Sequence, residues 1–211
     1  MNGNKIEEIF EGCEAIYKGH AVLNGGEHSD TYLKKEKIYG DSVIFEDLCR
    51  AIAYQVSSKS INIDAVVGSV PKLAQRVAYY LGEIYHKEIV HFSVEKDGMG
   101  NRVFGRNFDQ DLKGKDVLIV DDITITGESI IRIIKAVTLK KGRVKAVAVI
   151  CNRSNTASNN LFGFPVISLL KIKLQVWYGN DCPLCKARVP INPEIERGRE
   201  FLESHPGYPR E

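Results

Sequence analysis

Four apolar residues, Val117-Leu118-Ile119-Val120, run into two adjacent acids, Asp121 and Asp122, and then into Ile123-Thr124-Ile125-Thr126-Gly127-Glu128-Ser129 at the start of a helical pattern. Such an apolar run buries a strand, and open α/β sheets bind ligands at the carboxyl ends of their strands. A Thr-Gly-x-Ser turn that opens a helix leaves free backbone amides. Together with the helix dipole, these suit a phosphate monoester. The hydroxyls of Thr126 and Ser129 can add hydrogen bonds. Adjacent carboxylates fit two vicinal sugar hydroxyls and favour the positive charge that develops on a sugar ring as its leaving group departs. One segment therefore has the parts to hold a phosphate and a sugar diol side by side. The plainer alternative is an acidic strand end followed by an ordinary helix start. It explains each piece alone, but not the strand, the paired acids, the turn and the helix together.

Cations stand at several other points. Lys72, just after Gly68-Ser69, reads either as a solvated helix-start lysine or as an anion ligand. Residues 97–115 hold few apolar side chains, several charges and several glycines. A long loop in a compact domain is usually functional or disordered, and here the lid is the preferred reading. Lys96, Arg102 and Arg106 would bring positive charge to a leaving anion from that lid. Arg153, at the end of an apolar strand pattern, reads as functional, and His91 as a packing histidine. Cys182-Pro183-Leu184-Cys185 forms a two-cysteine knuckle. Structural zinc takes four ligands and no second close pair stands in the chain, so an intrachain site is not expected; zinc shared between subunits is the minority alternative.

The elements that must position these residues follow from periodicity. Ile6, Ile9, Phe10, Cys13, Ile16 and Tyr17 predict a helix over 5–17, ended near Gly19. Ala21-Val22-Leu23 and Thr31-Tyr32-Leu33 flank the polar turn 24–30 and predict a small hairpin. Phe45, Leu48, Cys49, Ile52, Ala53 and Val56 mark another helix. Apolar strands at 65–67, 89–92, 117–120, 144–150 and 166–170 then alternate with helices through 73–81 and 130–137. That alternation predicts a parallel sheet covered on both faces. The tail from about Gly179 is polar, with a short helix expected after Asn192-Pro193. The chain of 211 residues suits one α/β domain of 1–211, with a hood of about 1–40, a core of about 41–175 and a tail of about 176–211.

Composition narrows the function classes. An apolar share of 44% supports a real core, and a net charge of +2 without a basic stripe points away from nucleic acid and anionic membranes. The longest apolar run is too short to span a bilayer. Two early acids and no apolar core argue against a secretory signal at the N-terminus, and five scattered cysteines suit reduced thiols in the cytoplasm.

The 117–129 segment resembles the PRPP-binding motif of type I phosphoribosyltransferases, where PRPP is 5-phosphoribosyl 1-pyrophosphate. The stretch of about 20–190 is similar to the orotate phosphoribosyltransferase branch. Leu23-Asn24-Gly25-Gly26-Glu27-His28-Ser29-Asp30-Thr31-Tyr32 resembles that branch's base-side motif. Val67-Gly68-Ser69-Val70-Pro71-Lys72-Leu73-Ala74 falls on its pyrophosphate loop, and Val94 through Arg106 on its mobile catalytic loop. Asn152-Arg153-Ser154 resembles its base-contacting Asp-Arg pair, and similar Cys-Pro-x-Cys tails occur in some of its sequences. Departures are Glu27 where Arg is common, Asn24-Gly25 for Lys-Ser or Ser-Ser, Leu73 for Gly, Asn152 for Asp, and Glu128 inside the phosphate turn.

The resemblance implies a type I phosphoribosyltransferase-like fold, a parallel sheet flanked by helices with an N-terminal hood and a C-terminal tail. It implies transfer of phosphoribose from PRPP to orotate, with magnesium held mainly through PRPP and no firmly assigned protein ligand. Catalysis would fall to Asp121, Asp122, Lys96, Arg102 and Arg106. PRPP binding would fall to Lys72, Asp121, Asp122, Ile125, Thr126, Gly127, Glu128 and Ser129. The base would meet Gly26, Tyr32, Thr126 and Arg153. A cytoplasmic homodimer, binding neither nucleic acid nor membrane, is expected, its mobile loop acting across the interface. A phosphoribosyltransferase for another nucleobase and a non-catalytic PRPP-binding regulator remain the alternatives.

Overall fold

The computed structural model describes residues 3–105, 112–154, 162–172 and 175–211. Its elements in chain order are α1 (Gly3–Gly12), β1 (Ile16–Val22), β2 (His28–Leu33), α2 (Lys35–Gly40), α3 (Ser42–Ser57), β3 (Ala65–Gly68), α4 (Pro71–Tyr85), β4 (Val90–Lys96), β5 (Arg102–Phe104), β6 (Asp116–Thr124), α5 (Glu128–Leu139), β7 (Arg143–Asn152), β8 (Val166–Lys171), β9 (Val176–Trp177), α6 (Pro183–Lys186), β10 (Ile191–Glu196) and α7 (Gly198–Ser204). They form two compact units, one of Met1–Ile6 with Ser42–Ile172 and the other of Glu7–Asp41 with Lys173–Glu211.

The larger unit is built on a six-stranded sheet in the order β5-β4-β3-β6-β7-β8. All neighbours are parallel except the β4–β5 pair. The unbroken apolar runs of β3, β6 and β7 are explained by burial on both faces. Ala65, Val67, Val117, Ile119, Val147 and Val149 share one core cluster with Ile130, Ile133 and Val137 of α5. The intervening Val66, Leu118, Val120 and Ala148 point to the opposite face by the two-residue period of a strand, and they are as deeply buried. The α3 stripe, Phe45, Leu48, Cys49, Ile52, Ala53 and Val56, is buried as its spacing predicts, and α3 packs on α4. Among the described residues, no helix is long and apolar enough to cross a membrane.

Residues 97–115 depart from the expected continuous loop. Their first part folds back as a hairpin in which β5 pairs with β4, setting Lys96 opposite Arg102. Asp97 nucleates the turn: its carboxylate accepts from the amides of Met99 at 2.9 Å and Asn101 at 2.7 Å. These local bonds substitute for the missing apolar side chains. Leu112, at the far end, is fully buried against the sheet. Arg106 lies outside the described residues. His91 is exposed on β4 rather than packed in the core.

The smaller unit carries a four-stranded sheet in the order β10-β1-β2-β9. The expected hairpin is present, β1 running antiparallel to β2, but β1 is longer than its apolar piece suggested. The helix expected over 5–17 stops at Gly12. Glu14 then takes a left-handed backbone with φ of 53°, and Ile16 and Tyr17 pair with Leu33 and Tyr32. Cross-strand pairing thus outweighs the local helical spacing. The helix expected after Asn192-Pro193 is instead β10, which runs parallel to β1 with Ile191 beside His20. As the sheet edge, β10 tolerates a proline, and the tail helix begins only at Gly198.

Candidate active site

The site in the larger unit is assembled where β3 ends against β6, which runs on through both acids to Thr124. Val120 is in register with Gly68, and a side chain at Gly68 would sit 2.8 Å from the Val120 carbonyl oxygen. Glycine permits this close approach, which brings the next residue of each strand together. The Ser69 hydroxyl donates to Asp121 Oδ1 at 2.7 Å. Asp121 is only 3% exposed. Burial pushes its carboxyl above the usual range; the bond from Ser69 opposes that rise, and the negative Asp122 adds to it. Each acid also fixes local backbone. The Asp122 amide donates to Asp121 Oδ1 at 3.1 Å, and the Ile123 amide to Asp122 Oδ1 at 2.7 Å.

The turn that follows has a constrained shape. Gly127 is left-handed, with φ of 81°, and forms the N-cap of α5. Its carbonyl accepts from the Ile131 amide at 2.9 Å, and the Glu128 amide lies 3.4 Å from the Thr126 hydroxyl. A side chain at Gly127 would run into the Phe162 ring. Ile125 and Thr126 are exposed and Ser129 half-buried. Glu128 is exposed and pairs one turn on with Arg132 at 3.3 Å, so its charge is directed along the helix surface.

The β4–β5 hairpin reaches this turn. Arg102 Nη2 donates to Ser129 Oγ at 3.0 Å, and Arg132 Nη1 donates to the Gly100 carbonyl at 3.0 Å. Lys96, opposite Arg102 on the hairpin, is exposed. The α4 start follows Ser69 directly, and Lys72 in its first turn sits with Nζ 4.6 Å above the Phe45 ring. Leu73 is fully buried, so the residue replacing the family glycine packs inward from the helix.

Arg153, 7% exposed, follows the end of β7, and its amide donates to the Thr124 carbonyl at 2.8 Å. The neighbouring Asn152 spends its side-chain oxygen locally, accepting from the Ser154 amide at 2.9 Å and hydroxyl at 2.7 Å. Sequence reasoning missed Ser69 as a positioning group; its place directly after the strand glycine was the available signal. The donors gathered around Asp121 are carboxylate and hydroxyl oxygens, a hard set that fits magnesium.

Gly26 and Tyr32 belong to the smaller unit. Gly26, with φ of 86°, completes the hairpin turn, where its amide donates to the Leu23 carbonyl at 2.8 Å. The Glu27 carboxylate folds back over Gly25 of the same turn, into space that a side chain on Gly25 would occupy.

A family model described as "Phosphoribosyl transferase domain" matches residues 36–177. An orotate phosphoribosyltransferase of Caldanaerobacter subterraneus subsp. tengcongensis is 34% identical over 194 residues, covering 90% of this chain and 96% of the relative. The chain belongs to the orotate phosphoribosyltransferase family. A second orotate phosphoribosyltransferase, from Caldicellulosiruptor saccharolyticus, is 31% identical over 192 residues, with 90% of this chain and 95% of the relative covered. The crystal structure of Mycobacterium tuberculosis orotate phosphoribosyltransferase in complex with Fe(III) dicitrate is similar in fold, with a TM-score of 0.62 at 19% identity over 79% of this chain and 96% of that one. Against the pattern of the orotate phosphoribosyltransferase family, this chain keeps the strand and the paired acids, and its departures lie in the base-side turn, at Leu73, at Asn152 and at Glu128 in the phosphate turn.

Proposed function

We propose that this protein transfers the 5-phosphoribosyl group of PRPP to orotate, giving orotidine 5-monophosphate and pyrophosphate in pyrimidine biosynthesis in the cytoplasm. The observation that carries the proposal is the junction of β6 and α5. There Asp121, held by Ser69, lies beside a helix-start turn that Arg102 also reaches. The amides and hydroxyls of 126–129 bind the 5-phosphate. Asp121 and Asp122 accept hydrogen bonds from the ribose hydroxyls, and their charge favours the cationic sugar ring of the transition state. Lys72 and Arg102 attract the leaving pyrophosphate. Asp121 and Asp122 would help to hold a magnesium ion bound mainly through PRPP, and the ion would supply charge neutralisation for the leaving group. No covalent nucleophile is needed. Orotate presents a carboxylate and exocyclic oxygens, which call for hydrogen-bond donors, and in the larger unit the Arg153 guanidinium is such a donor.

Glu27 favours a second reading, because a carboxylate in the base-side turn suits an amino-bearing base. Its carboxylate folds back over Gly25 of the same turn, and the side chain is half-buried. Turnover with PRPP, magnesium and a panel of bases separates the two. Orotate should be consumed with release of pyrophosphate, and no turnover at millimolar orotate alongside turnover of another base would reassign the substrate. A PRPP-binding regulator would bind the donor and turn over none of the panel.

The proposed assembly is a homodimer in which loop cations act on the partner's site. Because Arg102 already donates to Ser129 of its own chain, that role falls to Lys96 or Arg106. Sedimentation velocity should show a dimer in the active preparation. A fully active monomer would count against this assembly.

A further inference from the structure

Two histidines lie beside the knuckle cysteines. His20 on β1, His28 on β2, and Cys182 and Cys185 around the start of α6 bring their donor atoms within 4.8 Å of one another. All four belong to the smaller unit. His20 Nε2 lies 2.8 Å from His28 Nδ1, 3.6 Å from Cys182 Sγ and 3.8 Å from Cys185 Sγ, while His28 Nδ1 lies 3.2 Å from Cys185 Sγ. A tetrahedral zinc with bonds of about 2.0–2.1 Å to nitrogen and about 2.3 Å to sulfur has ligand-ligand edges of about 3.3 Å for two nitrogens and about 3.8 Å for two sulfurs. The same bonds give a nitrogen–sulfur edge of about 3.5 Å. The three nitrogen–sulfur separations lie around it, and the two nitrogens stand closer than their ideal edge. From these four side chains we propose an intrachain zinc site that is structural and distinct from the phosphoribosyl site.

The surroundings prepare the ligands. His20 Nδ1 lies 2.9 Å from the Val189 carbonyl oxygen. A carbonyl only accepts, so the ring proton sits on Nδ1 and Nε2 turns its lone pair toward the cluster. This outer bond is the usual way a ligating histidine is oriented. Tyr208 strengthens the frame by donating to the same carbonyl at 3.2 Å. His20, His28 and Cys182 are at most 1% exposed, and Cys185 is half-buried, so water is largely kept from the cluster. Two thiolates and two imidazoles with tetrahedral spacing select zinc over magnesium or calcium.

The site's role follows from where its ligands come in the chain. His20 and His28 flank the base-side turn, and Cys182 and Cys185 lie more than 150 residues further on. The metal would therefore cross-link the hairpin to the tail. The four ligands, a Cys-x2-Cys knuckle and two histidines on paired strands near the other end of the chain, form no second close pair in sequence and meet only in the fold.

Elemental analysis of untagged protein, after exhaustive passage through chelating resin, should find about one zinc per chain, the stoichiometry of a closed four-ligand site. Cobalt(II) reconstitution should give the visible bands of a tetrahedral ion and a thiolate-to-metal charge-transfer band. Cys182→Ser, Cys185→Ser and His28→Ala should lose the metal and melt at lower temperature, while Cys13→Ser should keep both. Substoichiometric zinc in the wild-type protein, an octahedral cobalt spectrum, or full metal retention by Cys185→Ser would each overturn the proposal. The first two measurements use the wild-type chain, so they decide the matter even where a variant does not fold. Orotate turnover is read separately, so failure of the substrate assignment leaves the metal result intact.

Discussion

Replacing both acids of β6, by Asp121→Asn together with Asp122→Asn, is expected to leave a folded protein whose kcat/KM is lower by about 10²-fold or more. The side chains change by one atom type each, so packing at the end of β6 is preserved. The amide oxygen that Asp121→Asn retains could still accept the hydrogen bond that Ser69 donates in the wild type. What disappears is negative charge next to a ring that becomes cationic. Stability should move the other way. Burial raises the Asp121 carboxyl in the folded state, so the folded chain holds that proton more tightly than the unfolded chain. Stability is then lost as pH rises from below the unfolded-state value through the raised folded-state value. The neutral amide escapes it. Asp121→Asn should therefore melt at the same temperature as wild type or higher at neutral pH, with the difference shrinking in acid. Low activity with an undiminished melting temperature is the signature of an acid kept for chemistry at a cost in stability. Near-normal turnover by the folded double variant would remove these acids from the mechanism.

How much was legible beforehand depended on whether local pattern and long-range pairing agreed. In β6 and α5 they do. The Val117–Val120 run, the paired acids and the Thr-Gly turn are consecutive in sequence, and the structure keeps them consecutive in space. The α3 stripe was legible for the same reason, since one helix face is buried along its length. The smaller unit was harder to read because its sheet joins distant segments. Asn192-Pro193 has the local chemistry of a helix start, yet the backbone around it extends to pair with β1 about 170 residues away. Ile16 and Tyr17 continue a helical spacing, yet they pair with β2. The hairpin inside 97–115 was hidden because its turn is stabilised by the Asp97 carboxylate rather than by apolar burial. In the active site, the two acids and the turn could be read from adjacency alone. The contacts from Ser69 and Arg102 could not, because each crosses from another element of the sheet.

Gly127→Ala is expected to weaken PRPP binding by about 10²-fold, the effect of about 3 kcal/mol. Two costs meet at this position. The backbone is left-handed, with φ of 81°, which an alanine adopts at about 1–2 kcal/mol. The added methyl group also projects into the Phe162 ring, and overpacking of this kind costs about 1–3 kcal/mol. The folded chain can relieve both only by rotating the turn. That rotation re-aims the amides of 127–129, which the proposed function assigns to the 5-phosphate. The strain should therefore fall on ligand affinity more than on the sheet, whose core cluster does not include Gly127. Calorimetric titration with PRPP measures the first effect and thermal melting the second. Adding Phe162→Ala to Gly127→Ala removes the steric part and leaves the backbone part, so the pair should recover some affinity and not all of it. If Gly127→Ala binds PRPP as well as wild type, the 5-phosphate is not held by this turn, whatever the acids beside it do.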